Sequence, residues 1–296
     1  MPTSQEISHR AADWAAFLLA AAAFLVCWQL TQRFVDGWDP LAYLYAAERM
    51  VDGEPLAYCH PYNEEIGPYF TLAGFNVRGS EPGCLYLNYP PGFPLLLAAA
   101  QKLIPLPDAM YVVPALFGAT GLLVMYALGR LWLDARSALT AMVILMLTPV
   151  YLQFSTSVWS DLPVSVMLFG GLALLVWAER QSSAKLQGGC AFVAGLVIGW
   201  ALFGRYSAAV FLVPVAGYLI NSKTISSLVK SPVVWGFAMS VVIVFLGIAA
   251  YNHAFYGGVL MTPYSIEHGW YDWPKFSLQY ALDQSPVGSG GLVAEV

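Results

Sequence analysis

The chain has 296 residues, 58% of them hydrophobic and only 10% charged, with a formal net charge of −5. No soluble domain of this size needs so much apolar material, so the composition excludes that class and indicates an all-α polytopic membrane protein. No basic cluster is present, which excludes nucleic acid as a partner.

A spanning helix needs about 20 apolar residues. In chain order, candidate spans cover 14–33, 110–129, 137–153, 162–178 and 233–252, with a composite stretch at 189–220 broken only by Arg205. The first span follows Arg10 and lacks a clean cleavage site, so it reads as an uncleaved anchor. As one helix, 189–220 would be about 48 Å long. That is too long for one crossing, so it reads as two short helices that meet at Arg205.

The segment 91–107 arbitrates the topology. Its apolar core is short and ends in Gln101 and Lys102, as an interfacial helix would. If it lies in the outer interface, then Arg130/Arg136, Arg180/Lys185 and Lys223/Lys230 all fall on the same side as Arg10. That is the positive-inside arrangement. The result is seven crossings with a cytoplasmic N-terminus. A large first outer loop spans about 34–108, a short one lies near Asp161, and a third turn lies at Gly204–Tyr206. Cys59 and Cys84 share the first loop, where an outer location favours a disulfide over two free thiols. Cys27 and Cys190 read as packing residues.

The residues able to carry chemistry fall on the outer side. Asp39 followed by Pro40 marks a helix start, with Gly53 as its stop. A capping carboxylate alone would account for Asp39; the functional alternative is a general base at the membrane surface. Tyr43 is four residues on and shares its face. Asp161, in Ser160-Asp161-Leu162-Pro163, is either another helix cap or a second carboxylate facing the same pocket. Two such acids could orient an acceptor hydroxyl or hold a divalent cation, the one cofactor option here. Arg205 is an ionisable group at membrane depth, and its planar guanidinium suits phosphate. His60, His253 and His268 show no metal-ligand spacing.

Together these stretches resemble a family. Asp39-Pro40-Leu41-Ala42-Tyr43 looks like the first-loop acidic motif of GT-C glycosyltransferases, above all the dolichyl-phosphate-mannose–protein mannosyltransferase and aminoarabinose transferase group. Tyr89-Pro90-Pro91-Gly92-Phe93 is similar to that group's Pro-Pro element leading into a second juxtamembrane helix. Ser160-Asp161-Leu162-Pro163, Gly204-Arg205-Tyr206 and Tyr251-Asn252 through Gly257-Gly258 resemble three further elements, in the family's order, over residues of about 14 to 265. Several relatives carry Asp-Glu where this chain has Asp39-Pro40, which leaves Asp36 as the substitute for the second acid.

The resemblance implies a GT-C-type module of about seven transmembrane helices at 1–265, with juxtamembrane helices in the first outer loop. Relatives usually continue further, so 266–296 is expected to be an outer tail of a minimal or shortened member. The implied activity is that of a hexosyl- or pentosyltransferase. It would move sugar, with inversion, from a polyprenyl-phosphate carrier to the hydroxyl of a glycan, lipid or protein at the outer face of a prokaryotic plasma membrane. Asp39 would be the base, with Asp161 and Asp36 as further acids. Arg205 and Tyr43 would bind the donor phosphate, and helices 40–52 and 91–105 would shape a groove for the prenyl chain. Two other classes fit the composition. One is a transporter or lipid flippase, for which internal repeats and midplane polar residues would be expected. The other is an inactive fragment or partner subunit.

Overall fold

A computed structural model describes residues 4–33, 37–67, 69–72, 74–78, 82–106, 108–221 and 225–263. Asp36, Glu81, Lys223, His268 and the tail 266–296 lie outside the described residues.

The membrane part is a bundle. Helix α1 spans Ser4–Leu30, α5 Val112–Trp132, α6 Ala135–Met146, α7 Pro149–Ser155, α8 Asp161–Glu179, α9 Ala184–Gly204, α10 Leu212–Asn221, the short α11 Ile225–Val229 and α12 Pro232–Tyr256. A 3-10 turn, Ala109–Tyr111, leads into α5, and another, Tyr206–Phe211, leads into α10. Among the described residues five helices are long and apolar enough to cross a membrane; α6 with α7, if they form one span, makes a sixth, and Tyr206–Ile220 is a shorter apolar helix. Leu18 and Leu25 on α1 and Val242 and Leu246 on α12 point outward, as lipid-facing side chains do.

The expected single span 137–153 is instead bent by 71° between α6 and α7. Pro149 lacks an N–H and pushes Thr148 out of the helical region, to φ −74 and ψ 120. The composite stretch divides at Arg205 as expected, but α9 alone is long enough to cross.

Two cores hold the bundle. Ala16 and Ala20 of α1 pack on Leu122 and Tyr126 of α5 and Met142 of α6. Leu175 of α8, Ala194 and Ile198 of α9, Val215 of α10 and Phe237 of α12 form the other. At one end the bonds Tyr126 to Asp13, Arg180 to the Leu131 carbonyl and Tyr218 to Glu179 tie the helices together. Arg130, Arg136, Lys185 and Lys230 lie at this same end. Here Asp134 caps α6 by accepting from the Arg136 and Ser137 amides. Those bonds, the Ser137 amide foremost, hold its carboxyl below the ordinary range.

The loop between α1 and α5, the expected first outer loop, carries α2 (Trp38–Asp52) and α4 (Gly92–Leu103), together with the short α3 (Pro61–Ile66). Gly53 ends α2 in a left-handed turn at φ 73, as the sequence indicated. In the chain between α2 and α4 comes a three-stranded antiparallel sheet that the sequence did not announce. Its strands are β1 (Ala57–Cys59), β2 (Phe75–Arg78) and β3 (Cys84–Leu87), in the order β1-β3-β2. Helix α2 is packed on both sides. Ala42 and Ala46 meet Phe75, Leu85 and Leu87 of the sheet, while Tyr43, Leu44 and Ala47 meet Phe93 and Leu97 of α4.

Cys59 and Cys84 are directly paired in register and form the expected disulfide. They close a loop of sequence separation 25. Replacing both by Ser is expected to destabilise the outer loop by about 3 kcal/mol on loop-closure entropy. Limited proteolysis at fixed temperature checks this; unchanged cleavage between residues 59 and 84 would contradict it.

The loop is locked onto the bundle through Gly92. A Cβ there would lie 2.5 Å from the carbonyl carbon and oxygen of Phe203, so only glycine lets α4 approach the end of α9. The Trp200 indole N–H also donates to the Gly92 carbonyl at 3.2 Å. Gly92→Ala is expected to cost about 1–3 kcal/mol through this clash. The thermal midpoint in detergent reads that loss.

Candidate active site

The bundle end opposite the basic residues gathers several helix termini under the outer loop. The Gln32 amide donates to the Thr156 carbonyl at 2.8 Å, tying the end of α1 to the α7–α8 turn. Tyr256 Oη donates to the Leu87 carbonyl at 3.0 Å, tying α12 to the sheet.

Asp39 is not the N-cap expected from the sequence. Gly37 takes that position at φ 109, so the helix begins at Trp38 and both Asp39 and Pro40 fall within its first turn. Pro40 is tolerated there because first-turn amides have no helical acceptor. The carboxylate lies where the helix dipole complements its charge. Its Oδ1 accepts a 2.6 Å hydrogen bond from Tyr89 Oη, and Asp39 itself is half-buried. Tyr89 lies 50 residues away, directly before Pro90 and Pro91.

Asp161 is not the cap either: it is the first helical residue of α8, with buried Ser160 at the cap position. Rather than standing as a free second acid, Asp161 is ion-paired through Oδ1 to Arg205 Nη1. Arg205 occupies an extended break at φ −153 and ψ 115, where α9 ends and the 3-10 turn begins. The pair therefore joins the C-terminus of one helix to the N-terminus of another, each charge matched to its helix dipole. Both side chains are 34% exposed. The guanidinium carries five N–H donors. Asp161 engages only Nη1, and no other protein acceptor meets the fork among the described residues.

Tyr43 was expected to touch the donor phosphate. Its side chain is 1% exposed, so it presents no surface to a ligand. Its hydroxyl instead pairs with Ser160 Oγ at 3.1 Å, and its ring packs edge-on against Tyr89 and Phe93. Tyr43 thus bridges α2, one turn from Asp39, to the residue beside Asp161. On the far side of Arg205, Tyr206 Oη donates to Asn252 Oδ1 at 3.0 Å. Asn252 is buried in α12.

Asp39 is thus connected to the Asp161–Arg205 pair by way of Tyr89, the ring contact of Tyr89 with Tyr43, and Ser160 beside Asp161, while Asp36 lies outside the described residues. Among the described residues no three His, Cys, Asp or Glu side chains gather as a cation site would. Among the described residues Asp161 Oδ1 is held by Arg205, so these carboxylates do not form a divalent-cation site. Sequence reasoning gave no role to Tyr89, Ser160 or Asn252. All three stand in quoted motifs, but each acquires its partner only through the fold.

An apolar groove of about 470 Å³ runs between α5, α6, α7 and α8. Met125, Leu145, Phe154, Val166 and Phe169 line it, together with Asp161. It does not lie between α2 and α4, the location implied by the resemblance. Those helices pack directly against each other through Tyr43, Phe93 and Leu97.

Such an assembly, a bundle of apolar helices with a polar rim and two short helices over it, defines a polytopic helical membrane protein. The model of the dolichyl-phosphate-mannose-protein mannosyltransferase family matches residues 88–251, more than half of the chain, and the chain belongs to that family. Among solved structures it is similar to the oligosaccharyltransferase of Archaeoglobus fulgidus in the apo form. The TM-score is 0.62 and the identity 16%, over 86% of this chain and 31% of that one. The chain thus spans about a third of that protein's length, and at this identity the likeness is one of fold. No curated protein matches the chain.

Proposed function

We propose that this chain transfers a sugar from a polyprenyl-phosphate carrier to an acceptor hydroxyl. The observation that carries the reading is a half-buried carboxylate, Asp39, connected through Tyr89, Tyr43 and Ser160 to the ion pair of Arg205 with Asp161, which lines an apolar groove.

The groove would take prenyl units, whose burial is worth about 0.8 kcal/mol per CH₂. Asp161 lines it, so the donor phosphate would meet Arg205 there. The acceptor oxygen attacks the anomeric carbon and passes its proton to Asp39. The bond between that carbon and the phosphate oxygen breaks, and its electron pair leaves with the prenyl phosphate. Negative charge builds on that oxygen in the transition state, where Arg205 stabilises it. Asp161 would hold Arg205 in place, and Tyr43 would fix α2 against Ser160. A single displacement inverts the anomeric centre. Asp36, in the segment before α2, would be the further acid.

The basic end would face the cytosol under the positive-inside rule, which sets the site on the outer face. The sugar identity and the acceptor class, whether glycan, lipid or protein, are open to assay. Reconstituted vesicles given radiolabelled prenyl-phosphate sugars and candidate acceptors test the reading. Labelled acceptor is the expected product; label that crosses the bilayer without covalent change would overturn it in favour of transport.

A further inference from the structure

We propose that Tyr89 is a positioning residue that sets the reactive geometry of Asp39, with Oδ1 occupied and Oδ2 left for the acceptor proton. The inference rests on the reading of Asp39 as the base.

The contact has the form expected of a hydroxyl donating to a carboxylate. At 2.6 Å it falls in the short, charge-assisted range. Among the described residues it is the hydrogen bond made to the Asp39 side chain, and none falls on Oδ2.

The Tyr89 ring is itself held from several directions. It packs edge-on against Tyr43 at 5.1 Å and 63°, and Tyr43 is anchored in turn by Phe93 and Ser160. Pro90 and Pro91 restrict the backbone that follows it. On another side is Gly74, at φ 74. A Cβ there would fall 2.8 Å from Tyr89 Cε2 and 2.3 Å from the Ala42 Cβ. Glycine at 74 therefore lets the sheet close on the Tyr89 ring and on α2 together. A surface tyrosine that merely caps a carboxylate would not need such a seat. Here the seat fixes the hydroxyl, and the hydroxyl fixes the carboxylate plane relative to the rim.

Tyr89→Phe keeps the ring and removes only the donor. It is expected to lower kcat about tenfold, the scale of one hydrogen bond to a charged group, with donor KM and thermal midpoint unchanged. In a cycle with Asp39→Glu, whose longer arm moves the carboxylate off the tyrosine, the two losses should be strongly non-additive. A readout independent of turnover is carbodiimide labelling of Asp39 followed by mass spectrometry, which Tyr89→Phe should accelerate several-fold. Wild-type kcat with unchanged labelling, additive losses, or a loss confined to KM or to stability would overturn the inference. If Asp39→Asn keeps the wild-type rate, it is instead the base reading that fails.

Discussion

Arg205→Ala is expected to reduce kcat/KM about 10²–10³-fold, the usual consequence of removing a donor aimed at developing negative charge. A prenyl-linked sugar phosphate carries one negative charge as a diester and two once the prenyl phosphate has departed. The guanidinium therefore gains most on the way to the transition state, and the loss should appear mainly in kcat. Arg205→Lys should recover only part of it. A guanidinium can hold Asp161 with one nitrogen and present the rest of its planar fork to phosphate, whereas an ammonium is a point charge with no such division. The Ala variant also leaves Asp161 without its partner at the start of α8. Asp161→Asn/Arg205→Ala should restore stability without restoring transfer, which separates the chemical loss from a folding loss. Steady-state kinetics with saturating acceptor, together with thermal midpoints for each variant, check these expectations. Arg205→Ala at the wild-type rate would contradict the role.

Asp39→Asn is expected to cost about 10²–10⁴-fold in kcat, the range of a well-placed general base. The amide is close to isosteric and can still accept from Tyr89 Oη through its oxygen, so the packing of α2 between the sheet and α4 should be preserved. It cannot take the acceptor proton. Donor binding should survive, because the groove is formed by α5–α8 and not by α2. Donor affinity near the wild-type value with transfer abolished is the expected signature. An equal loss in binding would instead mean that Asp39 holds the donor.

What could be read along the chain was set by one-dimensional signals. Lys and Arg between apolar runs mark the basic end. The one charge inside the 189–220 run marks the break at Arg205, and the two cysteines in one polar loop mark the disulfide. Long apolar runs gave the helices, yet Pro149 was hidden inside one of them and bends it by 71°. The small sheet left no trace, because strands of three or four residues are too short to show alternation, and β3 is buried throughout. The pairings that make the site were least legible. Tyr89 reaches Asp39 across 50 residues and Arg205 reaches Asp161 across 44. Each depends on where a loop and a helix end are brought by packing elsewhere. Asp39 lies two positions and Asp161 one position past the cap each was expected to occupy, since Gly37 and Ser160 take those places.

The most direct measurement is the appearance of free prenyl phosphate when purified protein in lipid is given a prenyl-phosphate-linked sugar and an acceptor. Wild-type protein should release one prenyl phosphate for each glycosylated acceptor, and Asp39→Asn and Arg205→Ala should release almost none. Equal release by all three proteins would show that the chemistry does not occur at this rim.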